Sequence, residues 1–262
     1  MIKRIIEPEL LDELPPGNPL AVRSRRDLYR VNAWMRHHTL MADTLQNHLN
    51  GQALGQITEL GAGDGNFLLQ VAQRLALFGV PSRTSRDGWG GHISPNRVNA
   101  ELRTSNTWNE VKVTLLDRQK IVMSQTLASF TSLGWRAEAV TADVFDWLPA
   151  ASLGEIVIAN LFLHHFQDLS LAGMFRAIAD RTRLFIAIEP RRALLPLLCS
   201  RWLWAIGCNR VTRHDAVVSV RAGFLGEELS ALWPDKENWR LTEQRAGLFS
   251  HLFIAQKIQG AI

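Results

Sequence analysis

The sequence predicts an α/β fold, a mostly parallel sheet with helices on both faces. Three observations predict it. From residue 56 onward, short apolar or β-branched runs alternate with segments of helical period. The first of these runs ends on a glycine cluster that leads straight into a helix. And 262 residues with 47% hydrophobic and 21% charged side chains suit one large domain with a substantial core.

Residues 1–55 read as a helical cap ahead of this alternation. Pro15-Pro16-Gly17-Asn18-Pro19 interrupts a short opening helix. Ser24 is the expected N-cap of a long helix carrying Leu28, Val31, Met35, His38, Met41, Leu45 and Leu49 at steps of three and four, closed by Asn50-Gly51. Strands are then expected at Gln56–Leu60, Val111–Leu116, Ala137–Thr141, Ile156–Ala159 and Leu184–Ile188, and two more, Arg240–Arg245 and Ser250–Ala255, close the chain. The helices between them show apolar faces: Phe67, Leu68, Val71 and Leu75 in Asn66–Phe78, Met123, Leu127 and Phe130 in Lys120–Leu133, and Leu171, Phe175 and Ile178 in Leu169–Ala179. Residues 56–262 are expected to form one domain with insertions at 80–110 and 193–223. The first insertion is polar, glycine-rich and too long for an ordinary connection. The second opens with the apolar run ALLPLLCSRWLWAIG.

Charge narrows the partners. Twenty-nine Lys and Arg face 25 Asp and Glu, a net of +4. The clusters Arg23-Ser-Arg-Arg26, Arg181-Thr-Arg183 and Arg191-Arg192 form neither a dense basic stripe nor a nucleic-acid module, so nucleic acid is not an expected partner. No apolar run reaches the ~18–20 residues of a membrane span. The N-terminus lacks the apolar centre of a signal peptide, and a cytoplasmic location is expected. Cys199 and Cys208 read as buried thiols, and no residue spacing suggests a metal centre. Nine tryptophans are the unusual count.

The sharpest local signal is Glu59-Leu60-Gly61-Ala62-Gly63-Asp64-Gly65, between a strand and a helix. Glycines there let the backbone turn tightly and approach a ligand, and the helix N-terminus behind them offers free N–H groups. The spacing G-x-G-x-G differs from the dinucleotide fingerprint G-x-G-x-x-G. An acid at Glu59 would repel a pyrophosphate but suits a cationic cofactor.

This pattern resembles the cofactor motif of the class I S-adenosylmethionine-dependent methyltransferases. Asp117 closes the second strand (VTLLD), where that family places an acid on both ribose hydroxyls of the cofactor, with Arg118 beside it. Asp143-Val144 follows the third strand, where the family meets the adenine amino group. The fourth strand runs through Asn160 into Leu161-Phe-Leu-His164-His165-Phe166, a turn similar to that of the ubiquinone/menaquinone-type small-molecule methyltransferases. The resemblance covers roughly Gln56 to Glu189 outside the first insertion. It implies a single Rossmann-like domain with a seven-stranded sheet and an antiparallel last strand. It also implies S-adenosyl-L-methionine as cofactor, held by Glu59, Gly61, Gly63, Gly65, Asp117, Arg118, Asp143, Val144 and Asn160. The Asn/Asp-Pro-Pro-aromatic motif of amino-methylating nucleic-acid enzymes is absent, since Asn160 is followed by Leu-Phe-Leu.

Alignment of donor and acceptor supplies much of the rate of methyl transfer. A phenol or enol acceptor also needs its proton removed. The candidate bases are His164, His165 and His214, the last beside Asp215 in the second insertion. Glu189-Pro-Arg-Arg192 is a further polar group at the end of the fifth strand. The apolar stretch 193–207, with Trp202 and Trp204, is expected to form a wall or lid over the site. It is also a candidate for peripheral contact with a membrane surface. Asn32, Trp34 and His38 are expected to close the other side. The expected acceptor is small and largely hydrophobic, such as a phenolic, quinol-like or polyketide-like compound methylated on oxygen or carbon. The competing readings are an RNA- or protein-directed methyltransferase and a non-catalytic cofactor-binding partner subunit.

Overall fold

The computed structural model describes residues 3–49, 54–77 and 110–258. Its seven-stranded sheet has the order β3-β2-β1-β4-β5-β7-β6. The strands are β1 (Gln56–Leu60), β2 (Lys112–Asp117), β3 (Arg136–Thr141), β4 (Ile156–Asn160), β5 (Leu184–Pro190), β6 (Trp239–Ala246) and β7 (Ser250–Lys257). β1 to β5 pair in parallel, and β7 runs antiparallel to both β5 and β6. The sheet is the expected Rossmann-like one, mostly parallel with an antiparallel last strand.

Strand periodicity divides the core in two. In β4, Ile156 and Ile158 face one side of the sheet while Val157 and Ala159 face the other. The first side is covered by α3 (His37–Leu49), α4 (Asn66–Leu77) and α5 (Ser124–Ser132), through Met41, Leu45, Leu68, Val71, Leu75 and Phe130. The second is covered by α6 (Val144–Trp147), α7 (Asp168–Ala179) and α10 (Glu228–Leu232). There Phe175, Phe185, Trp233, Trp239 and Phe253 interlock with ring centroids 5.1–6.0 Å apart. β4 and β5 are buried along their whole lengths and read as continuous apolar runs, as central parallel strands do.

Ahead of the sheet lie α1 (Leu10–Glu13) and α2 (Pro19–Met35). The long helix expected from Ser24 is two helices. Asn18 caps α2 through the N–H of Leu20, with Pro19 at the first helical position. Arg36 adopts φ +57° and breaks the run before α3. Ser24 lies inside α2, its hydroxyl 2.8 Å from that of Thr212. α5 begins at Ser124 rather than Lys120, and residues 118–123 form a loop. After β5 come α8 (Leu194–Arg201), a turn at Leu203–Ile206 and α9 (Arg210–Ala222).

The expected lid is not one. Among the described residues, neither α8 nor the turn after it borders the large cavity. α9 instead packs against α2 and holds the N-terminal strap, residues 3–13. Most of the 80–110 insertion, Phe78, Asn50-Gly51, Trp89 and Trp108 lie outside the described residues. No helix among the described residues is long and apolar enough to cross a membrane.

Candidate active site

A cavity of about 750 Å³ opens at the carboxyl ends of β1 to β4. This is the side on which open α/β sheets bind ligands, and the strand order reverses at β1 and β4. Its floor is the glycine loop, its walls are the ends of β2, β3 and β4, and its cover is the strap with α2 and the start of α3.

The glycine loop is shaped by close approach. Gly61 has φ +68°, and a Cβ there would lie 2.2 Å from the ring of Phe162. Gly63 has φ +57°, and a Cβ there would meet nothing within 4 Å. Its N–H donates to Asp117 Oδ2 at 2.8 Å, which ties the loop to the end of β2. The other Asp117 oxygen accepts the N–H of Gln119 at 2.7 Å. Burial raises the Asp117 pKa, against these two hydrogen bonds. Each oxygen keeps a further lone pair for a ligand. Gly65 lies behind the loop, against Leu115 and Thr126, and does not border the cavity.

Glu59 is buried on the cavity floor, and its Oε2 has no hydrogen-bond partner. Burial, then the nearby charges of Asp64 and Asp117, hold its pKa well above the usual carboxylate range. The floor is therefore electrostatically short of a cation or a hydrogen-bond donor. Arg118, Asp143, Val144 and Asn160 all border the same cavity. Asp143 also caps α6 by accepting the N–H of Phe145 at 2.9 Å.

Asn160 is held from behind. The buried His37 lies 2.8 Å from Asn160 Oδ1 through Nδ1 and 2.7 Å from the Ser250 hydroxyl through Nε2. Burial depresses the His37 pKa to about 4, so the ring is neutral, donating to Asn160 and accepting from Ser250. The next residue, Leu161, takes φ +54°, a strained conformation for a branched side chain. It turns the chain so that Phe162 packs over Gly61.

The two consecutive histidines have different surroundings. His164 is buried, with Nδ1 2.8 Å from Glu189 and Nε2 3.2 Å from Glu9. Burial alone would lower its pKa, but the two carboxylates push it up to about 9, and both carboxylates are lowered in return. Glu189 also accepts the backbone N–H groups of Phe162, Leu163 and His164, and Glu9 accepts the Ser219 hydroxyl. His165 borders the cavity, its Nδ1 3.6 Å from Asp12 of the strap. Burial and the charge on His164 lower its pKa.

His214 is elsewhere. It lies half-exposed on α9, 3.0 Å from Asp215, and does not border the cavity. Asp215 accepts the N–H groups of Leu10 and Leu11, so this pair anchors α1. Among the described residues no tryptophan borders the cavity, and the Phe and Tyr side chains that do are Tyr29, Phe67, Phe162 and Phe166. Of the expected N-terminal closure, Asn32 and His38 border the cavity, while Trp34 faces solvent beside Phe249. The Asn32 Oδ1 is buried and unpartnered.

Glu9, Asp12 and His37 escape a reading of local spacing. Glu9 lies 155 positions from His164 in the chain, yet Glu9, His164 and His165 bring ligand-type atoms within 4.8 Å of one another. The sequence names Asn160 through the fourth-strand motif and Glu189 as a polar residue at the end of the fifth strand, but no partner for either.

No protein-family model and no curated protein sequence matches the chain. Solved structures do match in fold. The plantazolicin methyltransferase BpumL, solved in complex with SAH, superposes with a TM-score of 0.58 at 10% identity over 92% of each chain. An O-methyltransferase family protein from Burkholderia thailandensis gives 0.54 at 14% identity, over 93% of this chain and 62% of that one. The pyocyanin biosynthetic protein PhzM gives 0.52 at 13% identity, over 92% and 60%.

Proposed function

We propose that the protein transfers a methyl group from S-adenosylmethionine to an oxygen or carbon of a small, largely hydrophobic acceptor. One observation carries this reading. A positive-φ glycine loop, the acid at the end of the next strand and a histidine with a lowered pKa border the same cavity. The fold it shares with the plantazolicin methyltransferase and the Burkholderia thailandensis O-methyltransferase family protein agrees.

The residues present fit the cofactor. When bound, it supplies an electrophilic methyl group on a sulfonium. Glu59 offers the unpartnered buried oxygen that a cationic ligand relieves. Gly63 leaves open space above the loop, and Asp117 keeps acceptor capacity for a vicinal diol. Asp143, Val144 and Asn160 border the space beyond.

The other side of the cavity suits the acceptor. Leu11, Leu28, Tyr29, Phe162 and Phe166 give it an apolar lining. Asn32 Oδ1 calls for a hydroxyl donor. Glu7, Glu9, Asp12 and Glu13 of the strap disfavour a carboxylate acceptor. His165 accepts the acceptor's proton, since its lowered pKa leaves it neutral at pH 7. His164 cannot serve there: it is already protonated between two carboxylates. The likeness to quinone-type enzymes rests on the Leu163–Phe166 turn alone, so quinols belong in the acceptor panel beside phenols.

Calorimetric titration with S-adenosylmethionine, followed by turnover against that panel, tests the proposal. Micromolar binding, its loss in Gly63→Arg with the fold retained, and methylation of at least one acceptor are expected. Absence of measurable binding by the unmodified protein would end it. Binding without turnover of any acceptor would assign the chain to cofactor binding alone.

A further inference from the structure

Segment 193–207 exposes six large apolar side chains. Leu194 is 69% exposed, Trp202 63% and Trp204 57%, with Leu195, Leu198 and Ile206 beside them. The two indoles stack on each other with centroids 5.9 Å apart, in solvent rather than in the core. Scattered exposed apolar residues are ordinary, but six large ones on one short helix and the turn after it mark a surface that meets something apolar.

Charge identifies what it meets. Between Pro190 and His214 the chain carries five arginines and no acid. α2, which touches this segment through Arg23 and the carbonyl of Gly207, carries four arginines against one acid, the buried Asp27. These two segments hold more than the whole net charge of +4, so the remainder of the chain is net acidic. Of these arginines, Arg192 is buried against Glu228 and Arg25 lines the cavity, while Arg23, Arg201, Arg210 and Arg213 are exposed on or near the segment that carries the apolar side chains. Arg23 donates to the carbonyl of Gly207, directly before Cys208, and Arg201 and Arg210 flank Cys208 in sequence as exposed side chains.

We propose that α8, the Leu203–Ile206 turn and the neighbouring start of α2 dock on an anionic lipid bilayer. Leucine and tryptophan side chains enter the interface while the surrounding arginines meet lipid phosphates. A protein partner of equal apolarity would not need so uniform a cationic surround, and neither segment is long enough to insert as a span. α2 also lines the cavity through Arg25, Leu28, Tyr29 and Asn32, so docking would place the cavity's cover against the membrane. The proposal stands independently of the methyl-transfer reading.

Flotation with vesicles of mixed phosphatidylglycerol and phosphatidylcholine, and of phosphatidylcholine alone, tests it. So does energy transfer from tryptophan to a dansyl lipid. Binding to the anionic vesicles that weakens with salt, and little binding to the neutral ones, is expected. Leu198→Glu with Trp202→Glu should lower the affinity at least about tenfold, and Arg201→Glu about fivefold. These side chains lie outside both cores and the cavity. No binding to anionic vesicles, or binding unchanged in the variants, overturns the proposal. Self-association in sedimentation that the same variants abolish also overturns it, and makes the face an interface between copies.

Discussion

Glu189 Oε2 lies 2.8 Å from His164 Nδ1, with both side chains buried. The opposite ring nitrogen faces Glu9 of the N-terminal strap at 3.2 Å. The histidine therefore joins the end of β5 to a segment more than 150 residues away in sequence, and its charge holds the cover over the cavity. Its two carboxylates explain why the ring stays protonated at neutral pH despite burial.

A pH dependence of stability follows. The His164 pKa rises from 6.5 to about 9 on folding, so its contribution is complete below pH 6.5 and is lost as pH rises through about 9. The Glu9 and Glu189 values are lowered, so their contributions hold above the ordinary carboxylate range and are lost as acid protonates them. Thermal melts should show stability falling between pH 6.5 and 9, with a flatter slope in His164→Gln. Glu189→Gln breaks a buried pair and should cost about 3–5 kcal/mol. An identical slope in His164→Gln would mean that another group titrates.

Gly61 and Phe162 should be coupled. The missing Cβ of Gly61 would sit 2.2 Å from the phenyl ring, so Gly61→Ala is expected to cost about 1–3 kcal/mol by overpacking. In a denaturation double-mutant cycle, the cost should shrink in a Phe162→Ala background. Additive effects would show that backbone strain at positive φ, and not the ring, excludes a side chain.

Asp117→Ala should weaken S-adenosylmethionine by about 1–3 kcal/mol, the range for a lost hydrogen bond to a charged group. Asp117→Asn retains one acceptor oxygen and should lose less. Calorimetry reads both. Unchanged affinity in the alanine variant would leave the carboxylate with only its bond to Gly63.

His165→Ala should lower kcat by about 10²–10⁴-fold and leave cofactor affinity intact, as removal of a general base does. Since the His165 pKa is lowered, the wild-type rate should reach its plateau at a lower pH than an ordinary histidine base would give. His214→Ala should leave kcat unchanged, because that ring stands outside the cavity. A loss of turnover in His214→Ala with normal His165→Ala would reverse the assignment.

Local chemistry made much of the site legible. Gly61, Gly63 and Asp117 stand at strand ends, where the chain itself places them on one side of a parallel sheet. Strand and helix periods located the sheet to within one or two residues at most ends. The lid was misplaced for an equally physical reason. An apolar run reports that a surface avoids water, but not which surface it meets, and 193–207 turns its side chains outward. Ser24 was misread as a cap because α2 is entered at Asn18-Pro19, whose proline break also starts a helix.

By itself the sequence determined the sheet, its order of alternation with helices and the glycine loop, since each depends on periodicity and on residues close in the chain. Only the tertiary structure decided which side chains share the cavity. It seated Glu9 and Asp12 beside the histidines, set His37 behind Asn160, and divided His164 from His165 by charge state. These are long-range contacts between polar groups, and nothing in local spacing encodes a partner. Burial then assigns each group its protonation, because the low dielectric of the core leaves a charge stable only where an opposite one has been brought to it.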